Sequence, residues 1–293
     1  MNIGIHGKKS INEHREVVQR VFQDLNKREC NLFASAGFLK TLKNESIDVP
    51  GLKTYQPGDS LNHLDIMITV GGDGTLLEAV THIGRLETPI LGINTGRMGF
   101  LATTAKENIE KAIDEVFLKE FTFDYRSLLS LQAEDGIFDN GKNFALNDFT
   151  ILKKDTSSMI LVHAFVDGEI LNSYWADGII VSTPTGSTGY SLSCGGPLIM
   201  PQSRAFIITP VSPHNLTARP ILVPDHSRIS FRVESRSKHF LVSLDSRFKT
   251  VDNNGLELHI QRADFNARLI KLKENTYFKT IRQKLSWGVD IRN

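Results

Sequence analysis

Gly71, Gly72, Asp73, Gly74 and Thr75 follow directly on an apolar run over residues 64–70. Clustered glycines let backbone N–H groups approach a phosphate closely and form an anion-binding nest, so this segment suits a phosphorylated ligand. The acid in its middle sets a condition. Phosphates repel a carboxylate, so Asp73 is expected to face a hydroxyl or a bound cation. The plainer reading of the same residues is a tight turn with a capping aspartate. Two better-known phosphate loops are excluded by spacing. Gly4, Ile5, His6, Gly7, Lys8, Lys9 and Ser10 lack the four-residue spacer a Walker loop needs before Gly-Lys. Gly72-Asp73-Gly74 lacks the third glycine of the dinucleotide fingerprint.

A second candidate is the hydroxyl-rich segment Ser182, Thr183, Pro184, Thr185, Gly186, Ser187, Thr188, Gly189, Tyr190, Ser191, Leu192, Ser193, which follows an apolar strand-like run. Small donors together with backbone N–H groups at a helix start could hold the ribose, base or phosphates of a nucleotide. A solvated surface turn has the same composition. Asn147-Asp148 and Asp177-Gly178 each stand at the edge of an apolar run and offer side chains for ribose hydroxyls or an amide, although Asx turns and hairpin ends use the same residues. His214, near Arg219-Pro220, has no nucleophile beside it and is assigned no chemical role.

The elements that must position these residues follow from periodicity. The first ~120 residues alternate short apolar runs (1–5, 64–70, 89–93) with helical patterns, as a parallel sheet with crossover helices requires. Such open sheets bind ligands beyond the carboxyl ends of their strands, where the glycine-rich segment falls. From about residue 125 the alternation becomes period two, over 159–166, 170–174, 178–182, 228–233, 240–244 and 256–261. Asp167-Gly168 reads as a two-residue hairpin turn, because both positions tolerate positive φ. The expected organisation is an α/β domain with an open parallel sheet over 1–123 and a mainly β, sandwich-like domain over 124–271. Residues 272–293 are expected to return to the first.

The chain has 293 residues, with 34 basic and 33 acidic side chains for a net charge of +1. That balance gives no broad positive field for a phosphate backbone, so nucleic acid is not an expected partner. No stretch reaches membrane-spanning length, and no leader pattern precedes the first strand; a cytoplasmic protein without a membrane partner is expected. Cys30 and Cys194 lack paired spacing, so both are read as plain thiols.

Taken in order, Gly-Gly-Asp-Gly, the Asn147-Asp148 pair, Asp177-Gly178 and Thr-Pro-Thr-Gly-Ser-Thr-Gly-Tyr resemble the motifs of the NAD kinase family. The resemblance extends through Asn94-Thr95-Gly96-Arg97-Met98-Gly99-Phe100-Leu101 and Pro213-His214-Asn215-Leu216-Thr217-Ala218-Arg219-Pro220, nearly the whole chain. It implies a two-domain homo-oligomer, dimer or tetramer, that phosphorylates NAD with ATP and a divalent metal, Mg²⁺. It also implies that Asp73 is the catalytic carboxylate. Gly72, Gly74, Phe100, Asn147, Asp148, Asp177, Thr185, Thr188, Gly189, Tyr190, Ser191, Leu192 and Ser193 are implied as nucleotide-binding positions. Three departures stand out: Gly189 where the family has Ala, Trp175 where relatives often carry a basic residue, and Asp245-Ser246-Arg247 in place of Asp-Gly-Gln. The rivals are a lipid or sugar kinase sharing Gly-Gly-Asp-Gly, and a protein that senses a dinucleotide without reacting.

Overall fold

The computed structural model describes all residues except 9, 10, 12, 13, 57, 97, 134, 135, 139, 140, 155–158, 237, 238, 253, 254, 274, 275 and 288–293. The chain divides into two compact units, one of Met1–Tyr125 with Ala267–Asn293 and one of Arg126–Asn266.

The first unit is α/β. Its strands are β1 (Asn2–Gly7), β2 (Asn31–Ser35), β3 (Lys53–Tyr55), β4 (Ile66–Gly71) and β5 (Ile90–Asn94), joined through helices α1 (Arg15–Asn26), α2 (Ala36–Asn44) and α3 (Asp73–Ile83); α4 (Ile109–Phe117) follows. They pair in parallel in the order β3-β2-β1-β4-β5. Every residue of β4 and β5 is buried. That is why these strands read as nearly continuous apolar runs, since a sheet covered on both faces leaves no polar side. The helices cover it with narrow stripes, Val18, Val21, Phe22 and Leu25 on α1 and Ile109, Ala112, Ile113 and Val116 on α4. The Ser35 hydroxyl caps α2 by accepting from the Phe38 amide at 3.1 Å.

The second unit is mainly β. It takes in most of β6 (Thr122–Gln132), then β7 (Phe144–Ala145), β8 (Asp148–Lys153), β9 (Ile160–Val166), β10 (Glu169–Ala176), β11 (Gly178–Ser182), a 3-10 turn over Thr185–Thr188 and the single-turn α5 (Tyr190–Ser193). Next come β12 (Ala205–Val211), β13 (Ile221–Pro224), β14 (Ile229–Glu234), β15 (His239–Leu244), β16 (Arg247–Asp252) and most of β17 (Glu257–Lys271). One antiparallel sheet runs β13-β12-β11-β8-β15-β16, and a second set runs β10-β9-β14-β17. Their facing side chains form one apolar core, in which the Phe149 and Phe231 rings stack 6.0 Å apart. The β9–β10 turn has Asp167 at φ 53° and Gly168 at φ 88°, so both turn residues take the expected positive φ.

β17 then leaves the second unit, and its Leu269 pairs in parallel with Ile90 of β5. Arg268 holds Glu87 at 2.8 Å, and α6 (Tyr277–Leu285) is the last helix among the described residues. No helix among the described residues is long and apolar enough to cross a membrane.

Candidate active site

Within the first unit, Gly71 ends β4, Gly72 caps α3 with an extended backbone (φ −102°, ψ −167°), and Asp73 opens the helix. None of Gly71, Gly72 and Gly74 has positive φ, which corrects the expected nest. The αR–αL alternation that builds a nest is absent, and the segment instead forms the N-terminus of an eleven-residue helix, a feature that favours anions. Here the glycines act through size. A Cβ on Gly71 would meet Thr75 Oγ1 at 2.2 Å, whereas positions 72 and 74 border open space that a ligand could enter.

The half-buried Asp73 carboxylate is turned to the loop after β5. Its Oδ2 accepts from the Phe100 amide at 2.8 Å, and its Oδ1 accepts from the amides of Leu101 at 3.1 Å and Ala102 at 3.0 Å. The expected hydroxyl or cation is thus replaced, in the protein alone, by backbone amides of the loop after β5. Among the described residues, Oδ1 accepts two hydrogen bonds and Oδ2 accepts one. The loop is itself anchored, Asn94 Nδ2 donating to the Ala102 carbonyl at 3.3 Å and Asn94 Oδ1 accepting from the Gly96 amide at 2.8 Å. The Phe100 ring is half-buried, with the Lys284 ammonium 5.9 Å from its centroid.

Within the second unit the other expected residues converge. Ser182, the end of β11, pairs opposite Asp148, the start of β8. The chain therefore enters one strand beside the point where it leaves the other. The Thr183 amide donates to the Asn147 carbonyl at 2.9 Å and its hydroxyl to the Leu146 carbonyl at 2.5 Å. Gly186 lies directly on Asn147, where a Cβ would come within 2.0 Å of the carbonyl oxygen. The hydroxyl-rich loop is packed on the Asn147-Asp148 backbone.

Most of its hydroxyls hold the loop together. Ser187 donates to the Pro184 carbonyl at 2.7 Å, Thr188 to the Thr185 carbonyl at 3.2 Å, and Ser191 shares a bond with Thr209 at 2.9 Å. Ser191 is fully buried, so it supports the loop rather than presenting a donor. Tyr190 and Ser193 are exposed, and Thr188, Gly189 and Leu192 are half-buried. Asp177 is paired with Lys153 at 2.6 Å.

Asp148 is buried, and its carboxyl is pushed up to about 7, by burial first and by the neighbouring Asp245 second. Asp245 is raised by burial, against the amides of Leu146, Asn147 and Asp148 that donate to it. Sequence reasoning missed Asp245 as a site residue, and missed buried Arg126, whose Nη1 donates to Thr185 Oγ1 at 3.2 Å.

Residues 3–121 match the ATP-NAD kinase N-terminal domain, and residues 146–272 match the ATP-NAD kinase C-terminal domain. The chain belongs to the ATP-NAD kinase family. It is accordingly a phosphotransferase. The chain is 47% identical to the NAD kinase of Cytophaga hutchinsonii across the whole of both chains. It is 37% identical to the NAD kinase of Porphyromonas gingivalis over 99% of each. Among solved structures it resembles a yeast NADH kinase complexed with NADH, at TM-score 0.85 and 25% identity over 100% of this chain and 89% of that one. An NAD kinase from Archaeoglobus fulgidus in complex with ATP is similar at TM-score 0.73 and 26% identity, over 97% and 99%.

The departures from the ATP-NAD kinase pattern take definite places. At Gly189, φ is −99°, and a Cβ would stand 3.3 Å from the Gly186 carbonyl oxygen. Trp175 is exposed, and its carbonyl accepts from the His214 amide at 2.8 Å. Arg247 donates to the carbonyls of Lys142 and Phe144 and lies against the rings of Phe138 and Phe144. Arg97 of the family stretch, and Lys9 and Ser10 of the rejected Walker-like segment, lie outside the described residues.

Proposed function

We propose that the chain transfers the γ-phosphoryl group of ATP to the 2′-hydroxyl of the adenosine ribose of NAD, giving NADP and ADP. The observation that carries the reading is Asp73. Its carboxylate is fixed by three backbone amides at a helix N-terminus, and Oδ2, which accepts one bond among the described residues, is the oxygen assigned to a hydroxyl.

A carboxylate is too weak a base to deprotonate an alcohol in advance. The proton is therefore transferred late, from the ribose oxygen to Oδ2 as that oxygen bonds to phosphorus and the bond from phosphorus to the ADP oxygen breaks. Position matters more than basicity, because a hydroxyl held in line removes much of the entropic part of the barrier. The N-terminus of α3, with open space at Gly72 and Gly74, suits the phosphates. Asn147, Asp148, Thr185 and residues 188–193 are assigned to the nucleotide, through the side chains left outward and through the backbone.

Among the described residues no group of three or more His, Cys, Asp or Glu converges. A Mg²⁺ would be held mainly by ATP phosphates and its own waters, with Asp73 the carboxylate this loop could offer it. When bound, the ion neutralises phosphate charge. A cytoplasmic homo-oligomer, dimer or tetramer, is proposed on the family resemblance.

The test is incubation with γ-labelled ATP, Mg²⁺ and either NAD or diacylglycerol. Label on the 2′-position of NAD supports the reading. Label on the lipid supports the lipid-kinase rival, and NAD binding without product supports a sensor.

A further inference from the structure

The β15–β16 turn is built around Asp245, whose backbone is left-handed at φ 53°. This conformation is uncommon outside glycine, and Asp and Asn tolerate it best. It turns the carboxylate toward the segment that enters β8. There Asp245 Oδ2 accepts from the Leu146 amide at 3.0 Å, and Oδ1 accepts from the amides of Asn147 at 2.7 Å and Asp148 at 3.3 Å. The Asp245 amide donates back to the Asp148 carbonyl at 2.9 Å. Two residues on, Arg247 binds the carbonyls of Lys142 and Phe144. One turn thus holds the backbone from Lys142 to Asp148 at both ends, and its residues lie about a hundred positions further along the chain.

We propose that Asp245 is a positioning residue of the nucleotide site, fixing the Asn147-Asp148 backbone through its carboxylate and, by its charge beside Asp148, making NAD affinity depend on pH. The proposal rests on the assignment of Asn147 and Asp148 to the nucleotide. Asp245 Oδ1 accepts from the amide of buried Asp148 at 3.3 Å, and a carboxylate held against the backbone of a buried acid disfavours ionisation of both. The charged and titratable groups around Asp148 are Asp245 and Arg247 from the β15–β16 side, Tyr190 from α5, and Asp177, which Lys153 pairs. Of these described groups Arg247 and Lys153 are cationic; Lys153 pairs with Asp177, and Arg247 binds two carbonyls and offsets part of the Asp245 charge. Asp148 therefore changes from donor to acceptor as pH rises through neutrality, and an NAD hydroxyl or amide beside it senses that change.

The experiment measures kcat and KM for NAD from pH 5.5 to 9 in the full chain, in Asp245→Asn and in Asp148→Asn, with NAD binding by calorimetry. In the unsubstituted chain the dissociation constant for NAD is expected to follow one ionisation near neutrality. Asp245→Asn is expected to raise KM about fivefold or more while kcat stays within about threefold, the pattern of lost binding rather than lost chemistry. It should also move the pH midpoint toward acid, because a like charge is removed. Asp148→Asn should flatten the profile. A pH-independent dissociation constant in the unsubstituted chain overturns the proposal even if Asp245→Asn does not fold. So does an Asp245→Asn enzyme with unchanged KM and midpoint while Asp148→Asn alters both. If Asp148→Asn changes neither, the nucleotide assignment itself fails and the proposal falls with it.

Discussion

Asp73 and Gly99 interlock: a Cβ placed on Gly99 would stand 1.9 Å from Asp73 Oδ1. Only glycine lets the loop after β5 close over the carboxylate so that three successive amides reach it. Gly99→Ala must push the carboxylate or the loop aside. Misplacement of a catalytic group by about 1 Å can cost on the order of 100-fold in rate. The variant is expected to lose activity on that scale, measured as kcat/KM for NAD, and to melt at a lower temperature.

Gly186 makes the corresponding contact in the second unit, where a Cβ would lie 2.0 Å from the Asn147 carbonyl oxygen. Both partners are backbone, so no side-chain rotation relieves the clash. Gly186→Ala is expected to raise the dissociation constant for NAD at least about tenfold, corresponding to roughly 1.4 kcal/mol. Isothermal titration calorimetry checks it, and unchanged affinity would separate this loop from the nucleotide.

Gly189→Ala tests a departure from the family pattern. The new methyl would sit 3.3 Å from the Gly186 carbonyl oxygen and 3.8 Å from Asp148 Oδ2, and the backbone there is not left-handed. A shift of a few tenths of an ångström accommodates it, and the added methyl restricts the unfolded chain, an effect worth about 0.4–1 kcal/mol where no strain opposes it. Steady-state kinetics should give kcat/KM within about threefold of the unsubstituted chain.

The Asp148 carboxyl, raised from 3.8 to about 7, makes stability depend on pH. Between those values the folded chain binds a proton that the unfolded chain has released. The contribution is therefore complete below about 4, declines as pH rises and is lost above about 7. Within that window the slope is about 1.4 kcal/mol per pH unit at most. Urea unfolding at pH 5 and pH 8 should show Asp148→Asn gaining stability relative to the unsubstituted chain at the higher pH, and a constant difference would contradict this.

Legibility in the sequence followed the range of the interactions. Strand β11 has the limits its apolar run suggests, and the Asp167-Gly168 turn has the φ values its residues favour, because burial and turn chemistry act on neighbours. The Gly71–Thr75 segment was visible as a strand-to-helix junction, but the partners of Asp73 were not. They are amides 27 to 29 residues away, and an amide has no side-chain signature. Asp245 was hidden for the same reason, its amide partners lying 97 to 99 residues away. In the hydroxyl-rich loop, composition suggested donors for a ligand. It could not show that Ser187, Thr188 and Ser191 turn their hydroxyls inward, since that depends on where β12 and the Asn147 segment pack.

The most direct test of the central claim is the rate of NADP formation by Asp73→Asn, measured beside its dissociation constant for NAD. Asparagine keeps one oxygen for the Leu101 and Ala102 amides, turns an NH2 toward the Phe100 amide and cannot take the ribose proton, so kcat is expected to fall by about 10²–10⁴-fold, the range for loss of a general base, while NAD affinity changes only a few-fold. A variant that binds NAD normally and turns over at a near-normal rate would show that Asp73 holds the loop and takes no part in the transfer.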